Sequence, residues 1–217
     1  KEYTTFLRDY RTYHVVYIAL GAKTMISVGR RIQEAIDHMG KGETMLALTP
    51  ACIALDITSQ RHAGLKRSSR SSFKRFVQEN LWLITYVGFP GLMASTVRVP
   101  FVHPDVKPDA AGCVGIEDII YHVIRCSLIH SDEKDSKIRW NDAIALGLDQ
   151  DGNLVLNNGL IWGLVSAVVF SPTNKDESVP EPYWLQVGMF RMFISELWGR
   201  IDLAKKFVKF HTGVNVP

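Results

Sequence analysis

The sequence predicts a mainly α-helical bundle carrying one short β-hairpin, organised as a single domain over residues 1–217. Three observations carry that prediction. Apolar residues recur at three- and four-residue spacing near both ends of the chain, and Gly and Pro punctuate these stretches where helices would start and stop. Alternation of apolar with other residues around a glycine turn marks a hairpin at 144–156. Apolar residues make up 47% of the 217 and charged ones 22%, which excludes a disordered, collagen-like or solenoid chain. A chain of this length buries roughly 70% of its unfolded surface and needs no disulfide or metal to fold.

Taken in order, Tyr3, Phe6, Tyr10, Tyr13, Tyr17 and Leu20 form one aromatic helical stripe that ends at Gly21. Met25, Val28, Ile32, Ala35 and Met39 form a second seam, closed by the glycines of Gly40-Lys41-Gly42. Thr49-Pro50 reads as an N-cap with proline in the first turn of a helix containing Ile53, Leu55 and Ile57 and ending before Gly64. Ser72 caps the next helix, with Phe73, Phe76, Val77, Leu81 and Ile84 inside it. Four of the nine prolines fall in 88–115, a long loop without helical period. An apolar rod follows over 116–130, then the hairpin with its Asp151-Gly152-Asn153 turn, then a buried segment over 160–170. Val187, Phe190, Ile194, Leu197, Ile201, Ala204 and Val208 form a heptad-like seam, which predicts a helix that pairs with a second copy in a homodimer.

Several classes of function are excluded or disfavoured. The net charge of +3 announces no nucleic-acid binder by itself. The apolar runs are far short of the ~20 residues of a membrane-spanning helix, and Arg8, Asp9 and Arg11 interrupt the pattern of a signal peptide, so no membrane association is expected. Three cysteines without a CxxC pair fit a reducing, cytoplasmic setting. There is no GxGxxG, GxSxG or HExxH, and Gly40-Lys41-Gly42-Glu43-Thr44 lacks the spacing of a phosphate-cradling loop. Residues 149–153 lack the acidic spacing of a calcium loop. The expectation is therefore no metal and no cofactor.

Two features point to chemistry. On the apolar rod, Asp118, His122 and Arg125 stand at i, i+4 and i+7, within an arc of about 60° on an ideal helix. An arginine flanked by Ile124 and Cys126 needs an anionic partner, and Asp118 or a phosphate would serve. Upstream, Lys66, Arg67, Arg70, Lys74 and Arg75 place five positive charges and no acid within ten residues, with serines between them, a composition suited to RNA phosphates or to a solvated helix start.

Arg125-Cys126-Ser127-Leu128-Ile129-His130 resembles the Arg-x4-His signature of HEPN domains, a family of small helical proteins that includes metal-independent ribonucleases. The resemblance implies a dimer with two motifs facing one RNA strand, in a toxin, defence or stress role, with an antitoxin or other regulator as partner. By that implication Arg125 grips the scissile phosphate, His130 moves the proton, and Asp118, His122 and Ser127 support them. Cys126 stands where family members commonly carry a polar residue. A non-catalytic RNA- or nucleotide-binding module and a helical dimerisation scaffold stay open beside the enzyme.

Overall fold

The structure, a computed structural model, describes residues 27–126 and 137–217. The aromatic stripe from Tyr3 to Leu20 lies outside the described residues, as do Ser127 and His130.

Helix α1 (Val28–Gly40) starts at Ser27, whose Oγ accepts the Arg30 amide at 3.3 Å, and buries Val28, Ile32 and Ala35. A short turn with Gly42 at φ +74° reverses the chain into α2 (Thr44–His62), which packs on α1. Pro50 lies inside α2 and not in its first turn as the sequence suggested. The missing amide removes a single donor, to the Leu46 carbonyl, close to a helix start where Met45 and Leu46 face water. Helix α3 (Arg70–Glu79) is capped by Ser69 and not by Ser72. Ser69 Oγ accepts the Ser72 amide at 3.1 Å and Ser72 Oγ accepts the Ser69 amide at 3.3 Å, a reciprocal capping box. Helix α4 (Leu81–Gly88) follows almost without a break.

The proline-rich connection is not wholly irregular: β1 (Arg98–Val99) pairs antiparallel with β2 (Val114–Gly115) across it. Helix α5 (Ile116–Ile119) continues directly into a π-helix over Ile120–Arg125. The hairpin forms as expected, β4 (Leu146–Leu148) against β5 (Leu154–Asn157) with Leu146 opposite Leu156. A further strand, β3 (Ile138–Asn141), adds parallel to β5, giving the order β3-β5-β4. Helix α6 (Leu160–Val169) is buried along its length against α2 and α4. Its approach to α4 is so close that a Cβ on Gly163 would stand 2.3 Å from the Ile84 carbonyl oxygen. Strands β6 (Trp184–Val187) and β7 (Phe190–Phe193) form a second hairpin, and α7 (Ile201–Thr212), the last helix, is capped by Gly213.

The fold class is thus corrected. The described residues contain seven strands in three small sheets and are 49% helical, a mixed α/β protein and not a mainly helical bundle with one hairpin. The largest error is the C-terminal seam. Leu185 and Val187 are buried while Trp184 and Gln186 are exposed, a period of two, and Gly188 at φ +60° turns the chain back. Only Ile201, Ala204 and Val208 of the proposed heptad lie on one helix. The buried side chains nevertheless form one continuous cluster with α6 in its interior.

Candidate functional site

Arg70 and Lys74 stand one turn apart at the start of α3 and so project from one face. Asp118 on α5 and His122 on the π-helix are likewise four residues apart, and Asp118 binds Lys74 Nζ through Oδ1 at 2.5 Å. Residues 104–108, Pro-Asp-Val-Lys-Pro, form the remaining wall. Burial of Phe101, His103 and Val106 anchors that wall, with the Phe101 and His103 rings stacked and the Asp105 amide donating to His103 Nδ1 at 3.2 Å. Together these side chains enclose a cavity of about 510 Å³ lined by Arg70, Lys74, Lys107, Asp105, Asp118 and His122 with two prolines and a valine.

Three cations face two carboxylates here, and one carboxylate is already committed to Lys74. Neither Arg70 nor Lys107 forms an ion pair among the described residues. His122 Nε2 lies 3.9 Å from the same Asp118 oxygen, and its ring meets Tyr121 edge-on at 4.9 Å. Burial first, and then the Arg70 charge, hold the imidazole below its ordinary value of 6.5 against the pull of Asp118. At neutral pH the ring is therefore uncharged, a donor or acceptor that an incoming anion would convert to imidazolium.

The structure brings together Asp118 and His122, two of the supporting residues singled out from sequence, with Arg70 and Lys74 from the basic segment. It does not bring Arg125 to them. The Arg125 guanidinium sits 3.4 Å from Asp56 on α2 and 5.1 Å from the centre of the Tyr121 ring. Burial disfavours its charge, yet Asp56 and Tyr121 outweigh that effect and hold its pKa above the ordinary value. Asp118 is not its partner. The π-helix turns each residue through less than the 100° of an α-helix, which carries Arg125 away from the Asp118–His122 stripe and towards α2. Cys52, one turn before Asp56, is fully buried, and desolvation pushes its thiol up to about 12. Lys66 and Arg67 are exposed in the connection before α3, and Arg75 points into an exposed pair with Glu79 at 2.7 Å, which also binds His62 at 2.8 Å.

Sequence reasoning missed Asp105 and Lys107, whose signal was two opposite charges fenced by Pro104 and Pro108 in a long loop. It also missed Asp56, an acid on an otherwise apolar stretch of α2. Among the described residues no helix is long and apolar enough to cross a membrane.

No solved structure matches this chain. It is similar to the uncharacterised protein Rv1289 of Mycobacterium tuberculosis and to the uncharacterised protein Mb1320 of Mycobacterium bovis. Each is 28% identical over 193 residues, covering 84% of this chain and 88% of the relative. The family model described as Rv1289 matches residues 27–217, a span that holds every residue lining the cavity, and the chain belongs to the Rv1289 family.

Proposed function

We propose that this protein binds RNA through its phosphates, seating one in the pocket between α3, the 104–108 wall and the π-helix. The observation that carries this reading is the excess of cations around a polar cavity of about 510 Å³, with Arg70 and Lys107 left without acidic partners among the described residues. Two guanidinium or ammonium donors and one histidine match the several oxygens and the charge of a phosphate. Among the described residues no aromatic side chain other than His122 lines the pocket, so they offer no broad platform for stacking bases, and contact is to backbone and not to sequence. Lys66 and Arg67, exposed just before α3, extend the positive charge along the chain, which favours a polymer over a free nucleotide.

The test is the binding of a labelled single-stranded RNA followed by anisotropy at several salt concentrations. Replacing Arg70 and Lys107 together by Gln removes two of the charges that hold this phosphate and lowers the slope of log affinity against log salt by about 0.7, the value for one phosphate on a single strand. Both side chains are exposed, so folding is unaffected. An unchanged slope refutes the pocket as the binding site, and competition by a mononucleotide at equal phosphate concentration refutes the polymer. The same mixtures, incubated in chelator and run on a gel, test cleavage. Intact RNA is the expected result, whereas cleavage lost in both Arg125→Gln and His130→Ala would replace binding by hydrolysis as the function.

A further inference from the structure

A second cavity, of about 690 Å³, opens between α1, the start of α6 and the segment that leads into β6. Its size falls within the range of small-molecule sites. Its wall is apolar and aromatic, made by Ile36, Trp162, Tyr183 and Trp184 with the rings of Pro180 and Pro182. Among the described residues the charged ones that line it are both acidic, Asp37 and Glu181, with no lysine or arginine beside them in the wall. Asp37 is fixed in place, because the Tyr183 hydroxyl donates to its Oδ1 at 2.7 Å, and its second oxygen keeps its acceptor capacity. Trp184 already serves as a platform for a cation on the neighbouring hairpin, where the Arg191 guanidinium lies 3.5 Å from its ring centre.

We infer that this cavity binds a small organic cation, an ammonium group carried on an apolar body. The inference stands on charge complementarity. A neutral apolar ligand would desolvate Asp37 and Glu181 without compensating them, and an anion would be repelled by both. A bare metal ion would leave the aromatic wall unused. An alkylated ammonium uses all of it: the methyl groups pack on Trp162, Tyr183 and the prolines, the charge is attracted by the aromatic rings, and the carboxylates neutralise it. This site is independent of the phosphate pocket, with which it shares no lining residue.

The experiment compares choline with 3,3-dimethylbutan-1-ol, a neutral molecule of the same shape. Each is titrated into the full chain by calorimetry and by the indole N–H resonances, with the Trp162 signal assigned through Trp162→Phe. Choline is expected to shift the Trp162 resonance saturably and to bind about tenfold or more tighter than the alcohol. Glu181→Gln, an exposed change remote from the core, is expected to weaken choline several-fold, and the double variant with Asp37→Asn about tenfold or more, with the alcohol unaffected. Thermal melts confirm that each variant is folded. Equal binding of the two ligands, no saturable shift by choline up to ~50 mM, or choline affinity unchanged in the double variant would each overturn the inference.

Discussion

Replacing Glu177 by Gln tests whether one carboxylate ties the start of α1 to α2. Its Oε2 accepts from the Gly29 amide at 2.8 Å and from Ser27 Oγ at 3.0 Å, while Oε1 accepts from Arg61 at 2.7 Å. Arg61 donates also to Asn174 Oδ1 at 3.0 Å, and Asn174 in turn donates to Thr58 and to the Val168 carbonyl, both at 2.9 Å. An amide in place of the carboxylate has one acceptor and one donor end. Whichever way it is turned, an NH2 meets either the Arg61 guanidinium or the Gly29 amide, donor against donor. A hydrogen bond to a charged group contributes about 1.5–3 kcal/mol, and the Glu177 side chain is only 13% exposed, so a loss of about 2–3 kcal/mol is expected. The Arg200–Asp202 pair is half exposed on both sides, and Asp202→Asn should cost under ~1 kcal/mol. The assay is urea unfolding at pH 7 and at low pH. Burial pushes the Glu177 carboxyl up, but the Gly29 amide, Arg61 and Ser27 outweigh it and hold it below the ordinary 4.5. Its stabilisation is therefore complete above the unfolded value and is lost as pH falls through the folded one, so the gap between wild type and Glu177→Gln must close in acid. A gap under ~0.5 kcal/mol at pH 7, or one that persists unchanged in acid, would refute the reasoning.

Three further outcomes follow from the same geometry. Gly163→Ala should lower stability by about 1–3 kcal/mol, since its methyl would meet the Ile84 carbonyl oxygen at 2.3 Å, whereas Gly147→Ala, whose nearest neighbour is Ile144 Cδ1 at 3.5 Å, should not; thermal melts decide. Cys52, its thiol pushed up to about 12 by burial, should react with a thiol reagent at pH 8 only as fast as the protein unfolds, and immediate labelling of Cys52 would contradict its burial. RNA affinity should rise as pH falls below 6.5, because bound phosphate favours the imidazolium that burial and Arg70 disfavour in the free protein; anisotropy at constant salt reads it, and a rise that survives in His122→Gln would remove His122 from the pocket.

Local patterns were legible in the sequence where a single element explains them. The α1 face of Val28, Ile32 and Ala35 and the Leu146–Leu148 and Leu154–Asn157 hairpin formed with the expected period, and the segment after Leu160 is buried as expected, there as a helix. What failed needed partners from far along the chain. Ile138–Asn141 is a strand because β5 lies beside it, and Arg98–Val99 because β2 does, and neither pairing leaves a period in so short a run. The seam from Val187 satisfied heptad spacing only because a buried strand residue, a turn and a helix happened to fall seven or fewer residues apart. For the site, four of the residues singled out from sequence, Arg70, Lys74, Asp118 and His122, line one cavity, whereas Arg125 pairs with Asp56. Asp118 was grouped with Arg125 by assuming α-helical winding, and the π-helix from Ile120 broke that phase.

That change of winding has a chemical result. Had the rod stayed α-helical, Arg125, Asp118 and His122 would share one stripe, and an Arg–Asp pair would draw the carboxylate away from Lys74. With Arg125 turned to Asp56, Asp118 is free to hold Lys74 at 2.5 Å, and Asp56 also accepts from Ser68 Oγ just ahead of the Ser69 cap. The two pairs thus divide the labour: Asp56 fixes the approach to α3 and Asp118 fixes Lys74 across the cavity, so that Arg70 and Lys107 are the cations left to meet a ligand. A phosphate entering there competes with Asp118 for Lys74 and gains two further cations that carry no ion pair among the described residues. Only the Lys74–Asp118 pair stands in the way of an anion there; the attraction of Arg70 and Lys107 is not spent on breaking salt bridges among the described residues.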